Sequence, residues 1–248
     1  MSDHGNPCWY ELATGDTATA EAFYGAVLGW KWTDSGTPGM NYMLASAGEA
    51  MVAGMMATGA GQPAGWAIYF AVDDCDATVA KAEAMGAKGI VQPTDIPGTG
   101  RFAVLADPQG GQFSLLQPLP GSQGGAFAPE KVGHGCWNEL VSTDVEAALA
   151  FYLPLFGWKV SSTMEMGPGM TYHLLAHEGV DFGGAFTGDG GRTWWKPYFG
   201  VGSCKAAGTA VAAGGGKVLR GPDEVPGGAF TLQVEDPAGV ALGLVGPA

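Results

Sequence analysis

The sequence is poor in basic residues. Only 11 of its 248 residues are Lys or Arg, against 24 Asp or Glu, and the formal net charge is −13. Proteins that bind nucleic acids neutralise phosphate groups with Lys and Arg, so this composition argues against a nucleic-acid partner. An acidic surface favours solubility and, weakly, cationic ligands.

The chain also lacks a long apolar run and a targeting segment. No stretch approaches the ~20 consecutive apolar residues that a membrane helix needs. The first residues, Met1-Ser2-Asp3-His4-Gly5, contain an acid and neither a basic nor an apolar run, which is unlike a signal peptide. We therefore predict a cytoplasmic protein with no membrane partner.

What the sequence does contain is an internal repeat. The segment Cys8-Trp9-Tyr10-Glu11-Leu12 returns 128 residues later as Cys136-Trp137-Asn138-Glu139-Leu140. Later segments recur in the same order: Phe23-Tyr24 with Phe151-Tyr152, Gly29-Trp30 with Gly157-Trp158, and Asp107-Pro108-Gln109-Gly110 with Asp236-Pro237-Ala238-Gly239. A repeat of this length predicts two copies of one domain. We place domain 1 at 1–120, a Gly- and Pro-rich linker at 121–131 and domain 2 at 132–248.

Each copy contains a fainter repeat of its own. Shifting the sequence by 57 residues brings Trp9 onto Trp66 and Asp16 onto Asp73. Each half-copy reads as a strand, an acidic turn, a helix and further strands, with the helices predicted at 18–28, 76–85, 145–156 and 204–213. The pattern predicts an α+β protein made of four similar units.

Cysteine is scarce, and its four positions follow the repeat. Cys8 corresponds to Cys136 and Cys75 to Cys204, and no C-x-x-C motif is present. We predict small buried thiols at equivalent core positions. A disulfide between the copies is the alternative, which a reducing compartment disfavours.

Together these residues resemble a known family. A strand, an Asp and a helix ending in Phe-Tyr and Gly-Trp, followed much later by Asp-Pro-x-Gly, is similar to the vicinal-oxygen-chelate superfamily of glyoxalase I, extradiol dioxygenases and bleomycin-resistance proteins. The paired Cys-Trp-x-Glu-Leu starts look most like a bacterial subgroup with two glyoxalase-like domains in one chain. The resemblance implies four βαβββ units that form curled mixed sheets around clefts, with the helices outside.

Enzymes of this superfamily usually hold a divalent metal with His, Glu or Gln. The resemblance places the ligand positions at Trp9, Trp66-Ala67 and Ser114 in the first copy, and at Trp137, Trp195-Lys196 and Gly243 in the second. None of these side chains is a useful ligand for such a cation. We therefore predict no bound metal and no cofactor.

Histidine offers no substitute for these ligands. His173 and His177 fall on one predicted strand, where residues four apart lie roughly 13 Å from each other. That separation is too large for one metal ion, and ordinary hydrogen-bonded histidines are the better interpretation.

Glu11 and Glu139 are the candidate catalytic residues. Each is predicted on a first strand, on the same face as a Trp two residues earlier, where an unpaired carboxylate is costly to bury. One interpretation is a structural hydrogen bond, with Lys196 or Arg101 as possible partners. The other is a general base or ligand anchor in an aromatic pocket.

Aromatic and polar side chains near these strands are the candidate ligand-binding residues. An apolar pocket with a few polar groups is typical of small-molecule sites, although large side chains also fill cores. The candidates are Trp9, Trp66, Tyr69, Trp137, Tyr172, His173, Lys196 and Tyr198.

Three functions remain open at this point. We favour a metal-independent protein that binds or sequesters a small, planar organic molecule in an aromatic cleft, and the acidic composition also suits a cationic ligand. The alternatives are a lyase or isomerase of glyoxalase type with Glu11 or Glu139 as base, and a structural or interaction protein with filled clefts. We expect a monomer in which the domains pair within one chain.

Overall fold

The computed structural model describes residues 3–37, 41–59, 63–122, 124–167 and 169–248. The chain forms four βαβββ modules in sequence order. Module 1 contains β1 Pro7–Thr14, α1 Thr17–Leu28, β2 Lys31–Asp34, β3 Tyr42–Ala47 and β4 Ala50–Ala57. Module 2 contains β5 Gly65–Ala71, α2 Cys75–Ala84, β6 Lys88–Ile96, β7 Gly100–Ala106 and β8 Gln112–Pro118.

Modules 3 and 4 repeat this order in the second copy. Module 3 contains β9 Gly135–Ser142, α3 Val145–Phe156, β10 Lys159–Gly167, β11 Met170–His177 and β12 Val180–Thr187. Module 4 contains β13 Trp194–Gly200, α4 Cys204–Ala213, β14 Lys217–Glu224, β15 Phe230–Glu235 and β16 Ala241–Gly246. The four predicted helices are confirmed, and each observed end lies within one residue of its prediction.

Local signals fix the ends of α1 and α3. The Asp16 carboxylate accepts the Thr19 backbone N–H at 3.0 Å, and the Asp144 carboxylate accepts that of Ala147 at 3.1 Å. Both helices stop at a glycine with positive φ, 71° at Gly29 and 74° at Gly157. An acceptor at the N-cap and a left-handed residue after the last turn satisfy helix ends without any tertiary contact.

The strands form two eight-stranded mixed sheets with the same order. One runs β2-β3-β4-β1-β5-β8-β7-β6 and the other β10-β11-β12-β9-β13-β16-β15-β14. Within each module the first strand pairs in parallel with the last, as Glu11 with Gly54 and Glu139 with Gly184, and the outer strands are antiparallel. The predicted α+β architecture of tandem βαβββ modules is confirmed.

The chain divides into two compact units, and neither coincides with one copy of the repeat. The first comprises Met1–Cys8, Ile68–Gly124 and Asn138–Trp195, and the second comprises Trp9–Ala67, Gly125–Trp137 and Lys196–Ala248. Helix α2 packs against α3 in the first, and α1 packs against α4 in the second. Each unit therefore joins modules from both copies. The boundaries at 120 and 132 stay a prediction.

The Phe-Tyr and Asp-Pro-x-Gly motifs meet inside the first unit. Tyr152 Oη donates to Asp107 Oδ2 at 2.9 Å and accepts the Trp195 indole N–H at 3.1 Å. The other carboxylate oxygen of Asp107 accepts the backbone N–H groups of Gln109 and Gly111, both at 2.8 Å. Burial raises the pKa of Asp107, although these hydrogen bonds act in the opposite direction.

The second unit builds the same network from the other copies of the motifs. Tyr24 Oη donates to Asp236 Oδ2 at 2.9 Å, and the Trp66 indole donates to Tyr24 Oη at 3.2 Å. Burial is again the main cause of the raised pKa of Asp236. The two motifs are therefore parts of one buried hydrogen-bonded network that ties a module of one copy to a module of the other.

All four cysteines are free thiols in the structure, and three of them are buried. Burial raises the pKa of Cys136 to about 12 and that of Cys75 to about 11, so both stay protonated at neutral pH. The predicted role as small core side chains is confirmed for Cys75, Cys136 and Cys204. In the described part of the chain, no helix is long and apolar enough to cross a membrane.

Candidate functional site

Strand β1 presents one face that is only half-buried. Tyr10, Leu12 and Thr14 are buried, whereas the residues that alternate with them, Trp9, Glu11 and Ala13, are partly exposed. This alternation is the period of a strand with one face in the core. Trp9 and Glu11 therefore share the less buried face, as the sequence predicted.

Tyr42 of β3 joins these two side chains. The Trp9 indole N–H donates to Tyr42 Oη at 3.0 Å, and Tyr42 Oη donates to Glu11 Oε2 at 2.8 Å. Burial first, and then the negative charge of Glu11, raise the pKa of the Tyr42 phenol far above its usual range. Tyr42 therefore stays protonated and donates to the carboxylate. We call Trp9, Tyr42 and Glu11 the first-copy cluster.

Gly54 makes the first-copy cluster possible. It lies on β4 beside Glu11, and a Cβ atom at Gly54 would fall 1.9 Å from Tyr42 Oη. The tyrosine ring therefore lies over the bare backbone of β4 and reaches Glu11 on the far side of that strand. Close approach of a ring to backbone is a structural reason for glycine within a strand.

The second copy repeats this arrangement with a longer bond. Tyr172 Oη donates to Glu139 Oε1 at 3.2 Å, and a Cβ atom at Gly184 would fall 2.2 Å from Tyr172 Cζ. Glu139 is 8% exposed and Tyr172 is 9% exposed, so this pair is more enclosed than Glu11 and Tyr42. We call Tyr172 and Glu139 the second-copy cluster.

Tyr198 of β13 contacts a different set of polar side chains. Lys196 Nζ donates to Gln233 Oε1 at 2.8 Å, and Gln233 Nε2 donates to Tyr198 Oη at 2.8 Å. Lys196 Nζ also lies 5.1 Å from the centre of the Tyr198 ring. A Cβ atom at Gly243 would fall 2.0 Å from Tyr198 Cδ1, so the ring covers this glycine as well.

The remaining candidates have distinct surroundings. Trp66 lies edge-on to Tyr24 and Trp30 in the aromatic core of the second unit, and Trp137 is half-buried. Tyr69 is 5% exposed, and its carbonyl oxygen accepts the Cys8 thiol at 3.4 Å. Their roles in ligand binding stay predictions.

The two histidines of β11 have separate neighbours. His173 Nε2 lies 3.6 Å from Glu146 Oε1, and His177 Nδ1 lies 3.0 Å from Asn6 Oδ1. Burial lowers the pKa of His177, which favours the neutral ring. These contacts match the expectation of ordinary hydrogen-bonded histidines.

The residues at the superfamily's metal positions do not fit a metal ion. The indole N–H groups of Trp9, Trp66 and Trp195 are hydrogen-bond donors to tyrosines and have no lone pair for a cation. Gly243 has no side chain, and Ser114 supplies only a fully buried hydroxyl. Across the described ranges, no group of three or more His, Cys, Asp or Glu residues is placed to hold an ion.

Sequence reasoning missed three supporting residues. Gly54 and Gly184 were not identified, although both copies have a glycine at this point of the last strand of modules 1 and 3. Gln233 was also missed, and its signal was a polar residue between the apolar residues Leu232 and Val234.

Comparison with known proteins now settles the family. Residues 8–115 and 133–244 each match the profile of the Glyoxalase/Bleomycin resistance protein/Dioxygenase superfamily. The chain belongs to this superfamily. The two matched ranges follow the two copies of the repeat, and the resemblance read from the sequence is confirmed.

Relatives in this superfamily match nearly the whole chain. The putative glyoxylase CFP32 of Mycobacterium tuberculosis is 34% identical over 252 residues, covering 98% of this chain and 95% of the relative. The anthracycline biosynthesis protein DauV of a Streptomyces species is 30% identical over 260 residues, covering 97% and 93%.

Solved structures of dioxygenases share the fold. Homoprotocatechuate 2,3-dioxygenase of Brevibacterium fuscum matches with a TM-score of 0.72 at 18% identity, covering 98% of this chain and 81% of that chain. At such identity the likeness concerns the fold alone.

Proposed function

We propose that this glyoxalase-superfamily protein binds a small, planar organic molecule without a metal ion, and that the first-copy cluster anchors it. The observation that carries this proposal is the hydrogen-bonded chain from Trp9 through Tyr42 to Glu11. It places a carboxylate on a half-buried strand face, at the end of a hydrogen-bonded chain of two aromatic side chains. The second-copy cluster is the candidate for a second site.

The chemistry of the first-copy cluster favours a cationic ligand. Aromatic side chains offer flat apolar surface and a negative ring face, and a carboxylate attracts a positive group. The formal charge of −13 acts in the same direction.

The side chains at the expected ligand positions support metal independence. Tryptophan, glycine and a buried serine replace the usual His, Glu or Gln, and they cannot supply a divalent ion with ligands. Recognition of the ligand therefore depends on this chain's own aromatic and acidic groups.

The test is a titration of the intrinsic tryptophan fluorescence with proflavine, a planar aromatic cation. We expect saturable quenching in the wild type and at least a tenfold weaker Kd in Glu11→Gln. Glu21→Gln removes an exposed carboxylate on α1 and is the matched control, with unchanged Kd. Equal binding by wild type and Glu11→Gln, or by neutral acridone and proflavine, would contradict the proposal.

A second candidate function is a lyase or isomerase of glyoxalase type, with Glu11 or Glu139 as general base. Two observations favour it, namely the tyrosine donor on each carboxylate and the relative named as a putative glyoxylase. If the substrate reaches this base, Glu→Gln should lower turnover by roughly 10²-fold or more. The assay uses methylglyoxal–thiol adducts. Wild-type protein that converts none of them above background would remove this candidate for that substrate class.

We also propose that the protein is a monomer, with domains at 1–120 and 132–248. Each compact unit already joins modules from both copies, through α1 with α4 and α2 with α3. One chain thus supplies the module pairing that single-domain relatives would obtain by dimerising. Sedimentation at low concentration should give the monomer mass, and an obligate dimer would contradict this.

A further inference from the structure

The first compact unit uses a lysine to close a helix end. Lys81 on α2 reaches the last turn of α3, where its Nζ donates to the carbonyl oxygens of Pro154 at 2.6 Å and Leu155 at 3.0 Å. The last four carbonyl groups of a helix have no partner within it, and they carry the negative end of the helix dipole. The ammonium group of Lys81 donates hydrogen bonds to these carbonyl groups, and its positive charge is attracted by the negative end of the dipole.

The second unit has the equivalent helix pair without the lysine. Here α4 corresponds to α2 and α1 corresponds to α3, and the repeat aligns Ala210 with Lys81, Ala26 with Pro154 and Val27 with Leu155. A methyl group cannot donate a hydrogen bond. In place of the lysine there is a groove of about 310 Å³, and its lining includes Ala26, Val27, Ser203, Ala206, Ala207 and Ala210.

We propose that this groove binds a small primary alkylammonium ion. The ammonium nitrogen takes the position that Lys81 Nζ has in the other unit and donates to the carbonyl oxygens of Ala26 and Val27. Since Ala210 keeps its own Cβ, the atoms missing relative to lysine are three carbons and the nitrogen. A propylammonium ion consists of these same three carbons and nitrogen.

The rest of the groove suits such an ion. The methyl groups of Ala206, Ala207 and Ala210 form an apolar wall for the alkyl chain. The Ser203 hydroxyl is already engaged, because it donates to the Ala248 carbonyl at 3.0 Å and accepts the Ala206 N–H at 3.3 Å as the N-cap of α4. Recognition of the charge therefore depends on the carbonyl oxygens at the end of α1.

This proposal is independent of the proposed function. The lining of the groove includes none of Trp9, Tyr42 and Glu11, so Glu11→Gln should leave alkylammonium binding unchanged. Conversely, variants in the groove should leave proflavine binding unchanged.

The test is an NMR titration of full-length protein with n-propylammonium chloride at constant ionic strength. We expect saturable shifts of the amide signals of Ala206, Ala207 and Ala210 in the wild type. Ala210→Lys places a tethered ammonium in the groove, so it should weaken the binding at least tenfold and raise the melting temperature. Ala213→Lys, an exposed position near the end of the same helix, adds the same charge and should bind as the wild type does.

Two further variants, Lys81→Ala and Ala210→Met, test the same ammonium site. Lys81→Ala should create a second site with shifts of the amide signals of Leu155 and Phe156, and propylammonium should recover part of the melting temperature lost in this variant. If Ala210→Lys does not fold, Ala210→Met fills the groove with a neutral chain and should also abolish the shifts. No saturable shift in the wild type, or equal binding of 1-propanol, would overturn the proposal.

Discussion

Tyr42 lies where a side chain on Gly54 would project. A Cβ atom at Gly54 would fall 1.9 Å from Tyr42 Oη, and the same relationship recurs in the second copy between Tyr172 and Gly184. In both copies the tyrosine crosses the strand that holds the glycine and reaches a glutamate on the next strand. The glycine, the tyrosine and the glutamate thus form one structural element.

Replacement of Gly54 by alanine should therefore disrupt this element. The added methyl group must displace Tyr42, which breaks the hydrogen bond to Glu11 and overpacks the strand face. Overpacking of this kind typically destabilises a protein by about 1–3 kcal/mol. Urea denaturation measures the effect. Gly65→Ala is the control, because a Cβ there meets nothing within 4 Å; equal effects of the two variants would contradict this account.

Tyr42 and Glu11 should be energetically coupled. Tyr42→Phe removes the hydroxyl that donates to Glu11 and accepts from Trp9, and losing such a partner costs roughly 1–3 kcal/mol. In a double-mutant cycle with Glu11→Gln, residues in direct contact usually show a coupling of about 0.5–3 kcal/mol. Additive changes in the free energy of unfolding would mean that the hydrogen bond does not stabilise the protein.

The buried Asp107 should contribute more to the free energy of unfolding at pH 4 than at pH 7. Its pKa is raised above 3.8 by burial, so between 3.8 and the folded-state value the folded protein keeps a proton that the unfolded chain has lost. That contribution is fully present below 3.8 and is lost as pH rises through the folded-state pKa. The cost of Asp107→Asn should therefore grow as pH falls from 7 towards 4.

Asp76 is a control with the opposite pH dependence. The hydrogen bond from Arg101 is the main cause of its lowered pKa, so its contribution is present above 3.8 and is lost as pH falls towards the folded-state value. The cost of Asp76→Asn should therefore shrink in acid. Parallel pH profiles of the two variants, measured by urea denaturation, would show that the assigned causes are wrong.

Gln109 should stabilise the first unit. Its side-chain oxygen accepts the Thr193 hydroxyl at 3.1 Å and a short hydrogen bond from Ser142, and its amide donates to the Asp144 carbonyl at 2.7 Å. We expect Gln109→Ala to lower the free energy of unfolding by about 1–3 kcal/mol. The equivalent residue in the second unit is Ala238, beside a cavity of about 100 Å³. Ala238→Gly is a matched control that loses no hydrogen bond.

Much of the fold could be predicted because its signals are local. Asp16 and Asp144 cap helices, Gly29 and Gly157 end them, and strand alternation places Trp9 and Glu11 on one face. The pairing of α1 with α4 and of α2 with α3 could not be predicted, because these alanine-rich helices look alike in sequence.

The site was predicted only in part, for a similar reason. Glu11, Trp9 and Tyr172 stood out by their type and repetition. Tyr42 did not stand out as a partner of Glu11, since a cation such as Lys196 or Arg101 is the usual expectation for a half-buried carboxylate. The structure places the Tyr42 hydroxyl on one oxygen of Glu11. Tyr42 can reach Glu11 because Gly54 has no side chain. The sequence does not show this relationship, because it depends on the register of the strands.

Calorimetric titration with proflavine tests the metal-independent binding site most directly. Three samples are compared: wild-type protein, wild-type protein dialysed against EDTA, and Glu11→Gln. A site that needs no metal should give one Kd for the first two samples, and loss of the Glu11 charge should weaken binding at least tenfold in Glu11→Gln. Binding that disappears with EDTA, or that is unchanged in Glu11→Gln, would contradict a metal-independent site anchored by Glu11.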